Sequence, residues 1–163
     1  MIFSLFISFI ILQRIGELLL SKRNEKWLLK NGAVEYGHQH YKFIVLLHFL
    51  FICALIFEYV IQSTSFYSLS LLVFYLFILA FKAWTILSLG KFWNTKIYRI
   101  PKAPLIIKGP YRYFKHPNYL IVIAEILVIP LTFNLYYTAI SFSFLNAVML
   151  FVRIKEENRA LEI

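Results

Sequence analysis

The chain has 163 residues, 61% of them hydrophobic and 15% charged, with a mean hydropathy of +0.72 and a formal net charge of +9. A soluble domain of this length has too little interior to bury so much apolar surface, so the composition requires lipid as part of the solvent. The lone Cys53 excludes an internal disulfide framework, and the absence of any aspartate excludes aspartate-based phosphoryl transfer and EF-hand loops.

Five apolar runs follow in chain order, at 1–20, 43–61, 66–89, 119–133 and 135–152. Each approaches the ~20 residues with which a helix crosses a ~30 Å hydrocarbon core, the fourth being the shortest. The predicted fold is therefore an all-α integral membrane protein of five transmembrane helices, with residues 1–163 as a single domain. The first run has no basic leader and no small-residue cleavage site before Arg14, so it reads as a retained signal anchor.

The basic residues set an orientation. Fifteen of the seventeen Lys and Arg residues fall between runs one and two, between three and four, or after five, and none falls in the other two connections. By the positive-inside rule the N-terminus is outside and the C-terminus cytoplasmic, as expected of a multi-pass protein of the cell membrane. The same distribution accounts for the net charge without nucleic acid as a partner.

The remaining ionisable residues are costly inside a bilayer. Arg14 and Glu17, three residues apart on one helix, are expected to pair. Lys82 and Glu58 lie near the ends of their runs and read as interface anchors, snorkelling inward and outward respectively. Glu125 lies eight residues beyond Pro117 in the shortest run, and is expected to face protein or a wet cavity rather than lipid.

The stretch from Trp93 to Tyr119, WNTKIYRIPKAPLIIKGPYRYFKHPNY, is too long for a mere connector. Pro117 suits the first turn of a helix, which places His116 at the N-cap of the fourth run. The free N–H groups there would welcome an anion. Tyr111, Tyr113 and Tyr119 supply stacking faces and hydroxyls, while Arg112 and Lys115 supply positive charge. The bland alternative is an aromatic and basic interface belt.

Beyond the fifth run lies RIKEENRALEI, where Arg153 and Glu157 stand one helical turn apart. This pair would emerge on the same side as the His116 loop. Two polar clusters meeting there make a site for a polar cofactor facing a lipid-soluble substrate. His38 and His40 lack further metal-ligand types nearby and read as loop or interface residues, and His48 reads as a hydrogen-bonded helix contact.

The segment GPYRYFKHPNYL, a hydrophobic hairpin and RIKEEN together resemble the isoprenylcysteine carboxyl methyltransferase family of integral membrane enzymes that use S-adenosylmethionine. The resemblance runs from Trp84 to the end, about 84–163, which it marks as the cofactor-binding half. The N-terminal segments QRIGELLLSKRNEKW and GAVEYG are similar to a bacterial subgroup that accompanies type III polyketide synthases and methylates long-chain alkylpyrones. The resemblance implies cofactor contacts from Tyr111, His116, Pro117, Asn118, Tyr119 and Glu157, with weaker ones from Leu105 and Ile106 and a still weaker one from Lys96. It implies that Arg153 faces the acidic group of the substrate. Lys115 stands where the family usually has arginine, and Ile121 where it often has glycine.

Together these point to a membrane methyltransferase with its cofactor pocket on the cytoplasmic side, acting on an oxygen of a lipophilic small molecule, a carboxylate or an acidic enol. Such an acceptor is already ionised at pH 7, which suits a site without an evident general base. The expected partners are that substrate and membrane lipid, and the pattern assigns no oligomeric state. Two rivals stand beside this reading: a membrane reductase of the sterol-reductase kind using NADPH, and a non-enzymatic membrane scaffold or lipid-binding subunit.

Overall fold

The computed structural model describes residues 1–63 and 66–161. Five helices, α1 (Ile2–Lys30), α2 (His38–Gln62), α3 (Leu69–Leu89), α4 (Pro117–Leu131) and α5 (Tyr136–Leu161), account for the five apolar runs. Four of them, α1, α2, α3 and α5, are long and apolar enough to cross a membrane, whereas α4 has 15 residues. Many large apolar side chains on these helices point outward, Phe57, Leu87, Ile140 and Phe151 among them. Outward apolar faces on helices of this length identify a membrane protein.

The helices are bounded by local chemistry. Ser68 caps α3 by accepting from the Leu71 N–H, and Pro117 opens α4 with His116 at its N-cap, as the sequence predicts. The α5 start is capped from another helix: the Tyr137 and Thr138 N–H groups donate to the Glu58 carboxylate of α2 at 3.1 and 2.7 Å. α4 and α5 pack as a hairpin around a tight turn in which Asn134 adopts φ +58°.

An aromatic and aliphatic core fills the half of the molecule nearest the α4–α5 turn. There Phe3 stacks on Tyr59 at 3.6 Å, and Phe133 sets its edge against Phe3 at 5.0 Å. Along α1 the inward-facing positions continue the helical spacing away from this core and change character: buried Phe3, Phe6, Ile7 and Ile10, then partly buried Arg14 and Glu17, then buried Ser21, Asn24 and Leu28. One face of one helix thus meets an apolar core, then a charged layer, then a polar loop.

The charged layer is a four-residue cluster. Arg14 contacts Glu17 at 3.0 Å and Glu125 at 2.8 Å, while Lys82 contacts both Glu17 and Glu125, the latter at 2.7 Å. Gln13 links it to the Tyr75 hydroxyl at 3.0 Å. The expected Arg14–Glu17 pair is present, and Glu125 faces protein. The expectation that Lys82 and Glu58 snorkel as interface anchors is corrected: both are buried, Lys82 between two carboxylates and Glu58 on the α5 N-terminus. Each finds a partner on another helix, which is cheaper than a long reach to the interface.

At the opposite end two connections are tied together by a feature the apolar runs do not reveal. Strand β1 (Val34–Tyr36) pairs antiparallel with β2 (Ile97–Arg99), Glu35 opposite Tyr98. The Tyr98 hydroxyl sits between Glu25 and Glu35 at 2.6 and 3.0 Å, and Lys96 reaches Glu25 at 2.7 Å. Burial and the two carboxylates push the Tyr98 phenol up, so it stays a donor between them.

Candidate active site

The site is built where the polar end of α1, the loop before β2 and the ends of α4 and α5 converge. Ser21 and Asn24 organise the loop. Asn24 Nδ2 donates to the carbonyls of Trp93 at 2.7 Å and Gly90 at 3.1 Å, and Ser21 Oγ accepts from the Thr95 N–H at 3.1 Å. The Asn94 amide closes the lattice by donating to the Ser21 carbonyl at 2.9 Å. From α2, the Tyr41 hydroxyl meets Thr95 Oγ1 at 3.1 Å. The Thr95 carbonyl is thereby fixed, and Arg153 of α5 donates to it.

Arg153 also donates from Nε to the Tyr119 hydroxyl at 3.1 Å, with its guanidinium 5.6 Å from that ring's centroid. The Tyr119 hydroxyl in turn donates to Glu157 Oε2. His116 lies against the same ring, centroids 5.2 Å apart and 23° from parallel, and its Nε2 donates to Asn158 Oδ1 at 3.2 Å. The two clusters singled out in the sequence, at the start of α4 and the end of α5, are therefore one cluster centred on the Tyr119 ring.

Three features leave this cluster open to a ligand. His116 Nδ1 is buried without a hydrogen-bond partner, 3.6 Å from Glu157 Oε2. Glu157 makes its contacts through Oε2, which leaves Oε1 available. Arg153 likewise commits two of its five N–H groups. Unpaired capacity of this kind, next to one another, is what a polar ligand completes.

On its other side the cluster borders a cavity of about 350 Å³ between α1, α2, α4 and α5. Arg153, Tyr119, Asn118, Thr95 and Trp93 line its polar end. The rest of the wall is mostly apolar but includes Arg14, Glu17, Lys82, His48 and Asn146, and Ile15, Leu18, Val45 and Phe49 on its rim are 44 to 63% exposed on the outer faces of α1 and α2. The rim thus opens toward the surface that lipid covers.

The other sequence-predicted residues lie nearby in varied settings. Pro117 is buried at the first turn of α4. Tyr111 sits in the short helical turn Gly109–Arg112 packed against α3, where burial and then the Glu157 charge push its phenol up. Leu105 is half exposed and Ile106 partly buried, in an extended segment that does not line the cavity. Lys96 is engaged by Glu25 and Glu35. His38 and His40 fall in the first turn of α2. Sequence reasoning missed Thr95 and Trp93, and the signal that points to them is Ser21 and Asn24, polar residues on the buried stripe of α1.

The protein is thus a helical membrane protein with a polar cluster at one end of a largely apolar cavity. Residues 68–163 match the isoprenylcysteine carboxyl methyltransferase (ICMT) family, and the chain belongs to that family, whose methyltransferases use S-adenosylmethionine. It is 42% identical to the uncharacterized protein YpbQ of Bacillus subtilis over 98% of this chain and 96% of that protein. It is 32% identical to an uncharacterized protein of Haemophilus influenzae over 91% of this chain and 88% of the other. No solved structure matches it.

Proposed function

We propose that the protein is an S-adenosylmethionine-dependent O-methyltransferase whose acceptor is an anionic oxygen, carboxylate or acidic enol, on a lipophilic small molecule. The observation that carries this reading is the Tyr119 side chain, whose ring has His116 stacked against it and whose hydroxyl joins Glu157 to Arg153 at the polar end of the cavity. Cofactor and acceptor then meet beside one side chain, with the reacting oxygen and the methyl group in direct contact.

His116 Nδ1 and Glu157 Oε1 offer an unpaired polar set next to a stacked aromatic pair, which fits the ammonium and hydroxyl groups of the cofactor. In this reading Tyr111, Pro117, Asn118, Leu105 and Ile106 add the remaining cofactor contacts, Asn118 from the cavity wall. The cofactor, when bound, supplies a methyl group on a sulfonium; the acceptor oxygen forms the new C–O bond as the S–C bond breaks. Arg153 holds the acceptor anion with its uncommitted N–H groups, and its tethers to Tyr119 and Thr95 keep that fork from swinging. The apolar cavity excludes water, so the anion keeps its nucleophilicity without a general base. The acceptor's tail enters between Ile15, Leu18, Val45 and Phe49 from the bilayer, and the polar end faces the cytoplasm. Long-chain alkylpyrones and prenylcysteines are the first acceptors to try.

Calorimetric titration of detergent-purified protein with S-adenosylhomocysteine, with NADPH in a parallel cell, tests the class. Saturable binding of the first alone, lost in Glu157→Ala, supports the methyltransferase. Binding of NADPH alone moves the protein to the reductases. Binding of neither by folded protein leaves a scaffold or lipid-binding role.

A further inference from the structure

The cavity has a second polar station. His48 of α2 and Asn146 of α5 both line it, on the far side of an apolar band formed by Ile44, Val45, Met149 and Leu150. His48 lies seven residues beyond Tyr41 on α2, and Asn146 seven residues before Arg153 on α5, so each is two helical turns, about 10 Å, deeper than the Arg153 end. Two neighbouring helices thus place a polar side chain at one depth.

Both side chains keep hydrogen-bonding capacity toward the cavity they line. His48 donates from Nδ1 to the Ile44 carbonyl at 2.8 Å, which leaves Nε2 of the neutral ring as an acceptor. Asn146 is only 4% exposed, and its amide makes no side-chain hydrogen bond among the described residues. An amide that faces a cavity without a protein partner is answered by the polar group that occupies the cavity.

The chemistry of the missing group follows from what is there. His48 wants a donor, and Asn146 offers both a donor and an acceptor. Arg14 and Lys82 at this depth are already matched by Glu17 and Glu125, so the station has no spare cation for a second anion. A hydroxyl, donating to His48 Nε2 and accepting from Asn146 Nδ2, satisfies both.

Resting on the methyltransferase reading, we infer that the acceptor carries a second, uncharged hydroxyl about 10 Å from its anionic head, held by His48 and Asn146. These two residues are positioning residues for the tail, and they set which amphiphiles are accepted.

The probes are octadecanoate, 10-hydroxyoctadecanoate, whose hydroxyl sits midway along the chain, and 2-hydroxyoctadecanoate, whose hydroxyl stays beside the carboxylate. Each is used to displace radiolabelled octadecanoate from the full chain in lipid nanodiscs, with empty nanodiscs as background and S-adenosylhomocysteine binding measured on the same samples. The mid-chain hydroxyl is expected to improve displacement about tenfold, and the 2-hydroxyl not at all. Asn146→Leu and His48→Phe are each expected to abolish that preference while keeping octadecanoate and S-adenosylhomocysteine binding. Equal displacement by all three probes, or no displaceable octadecanoate in protein that binds S-adenosylhomocysteine, overturns the second station alone. Loss of S-adenosylhomocysteine binding in folded wild-type protein overturns the methyltransferase reading and this inference with it.

Discussion

Arg14 of α1 and Glu125 of α4 meet at 2.8 Å although 111 positions separate them. Lys82 of α3 closes on the same carboxylate at 2.7 Å, and Glu17 completes the set, so three helices are joined by two cations and two anions at the depth of the membrane. In lipid an unpaired member of such a set is far more expensive than the pair is rewarding, and the cluster therefore acts chiefly on which helices pair.

Removing one partner should expose that asymmetry. Lys82→Met leaves two carboxylates facing Arg14 alone and is expected to cost about 3–5 kcal/mol, read as a lower thermal midpoint in detergent. Lys82→Met with Glu125→Gln removes one charge of each sign, and is expected to recover a large part of the loss. Equal midpoints for the single and double variants would show that the cluster is not a coupled unit.

Tyr119→Phe isolates the hydroxyl that joins Arg153 to Glu157 while keeping the ring beside His116. Hydrogen bonds to charged groups contribute about 1.5–3 kcal/mol, so S-adenosylhomocysteine affinity should fall roughly 10- to 100-fold with the thermal midpoint little changed. An unchanged dissociation constant would place the cofactor away from this hydroxyl.

Much of the helical frame was legible because hydropathy and charge are one-dimensional signals: five apolar runs became five helices, and His116 took the N-cap that Pro117 implies. Partnership between helices is not one-dimensional. Lys82 and Glu58 lie near the ends of their runs and look like snorkelling residues until Glu17, Glu125 and the α5 N-terminus are seen beside them. The strands were hidden for another reason, since three residues each, VEY and IYR, are too short to show an alternation. Of the site, the spacings His116–Tyr119 and Arg153–Glu157 could be read directly. Thr95 could not, because it acts through a backbone carbonyl that any residue would supply.

Gly109 opens the turn that carries Tyr111, at φ +57°, and a Cβ there would overlap the Ser88 hydroxyl with Ser88 Cβ at 2.9 Å. Gly109→Ala is therefore expected to destabilise by about 1–2 kcal/mol from the backbone conformation, with the steric conflict in addition. Adding Ser88→Ala should relieve the hydroxyl overlap and leave the backbone part together with the close contact to the Cβ of residue 88. A Gly109→Ala protein with an unaltered thermal midpoint would mean that the turn relaxes freely.

Arg153 separates acceptor from cofactor. It borders the cavity, whereas His116 and Glu157, which meet the Tyr119 ring and hydroxyl, are not among the residues that line it. Arg153→Lys keeps a positive charge but gives up the planar fork that reaches Tyr119 and Thr95 together, so the anion is held without a fixed direction. Its expected signature is an acceptor KM raised roughly 10-fold or more, with S-adenosylhomocysteine affinity within a few-fold of wild type. Arg153→Ala should go further, leaving little turnover at any acceptor concentration while still binding S-adenosylhomocysteine. If the lysine variant instead lost cofactor affinity and kept its acceptor KM, Arg153 would belong to the cofactor side of Tyr119, and the anion would have to be held elsewhere in the cavity.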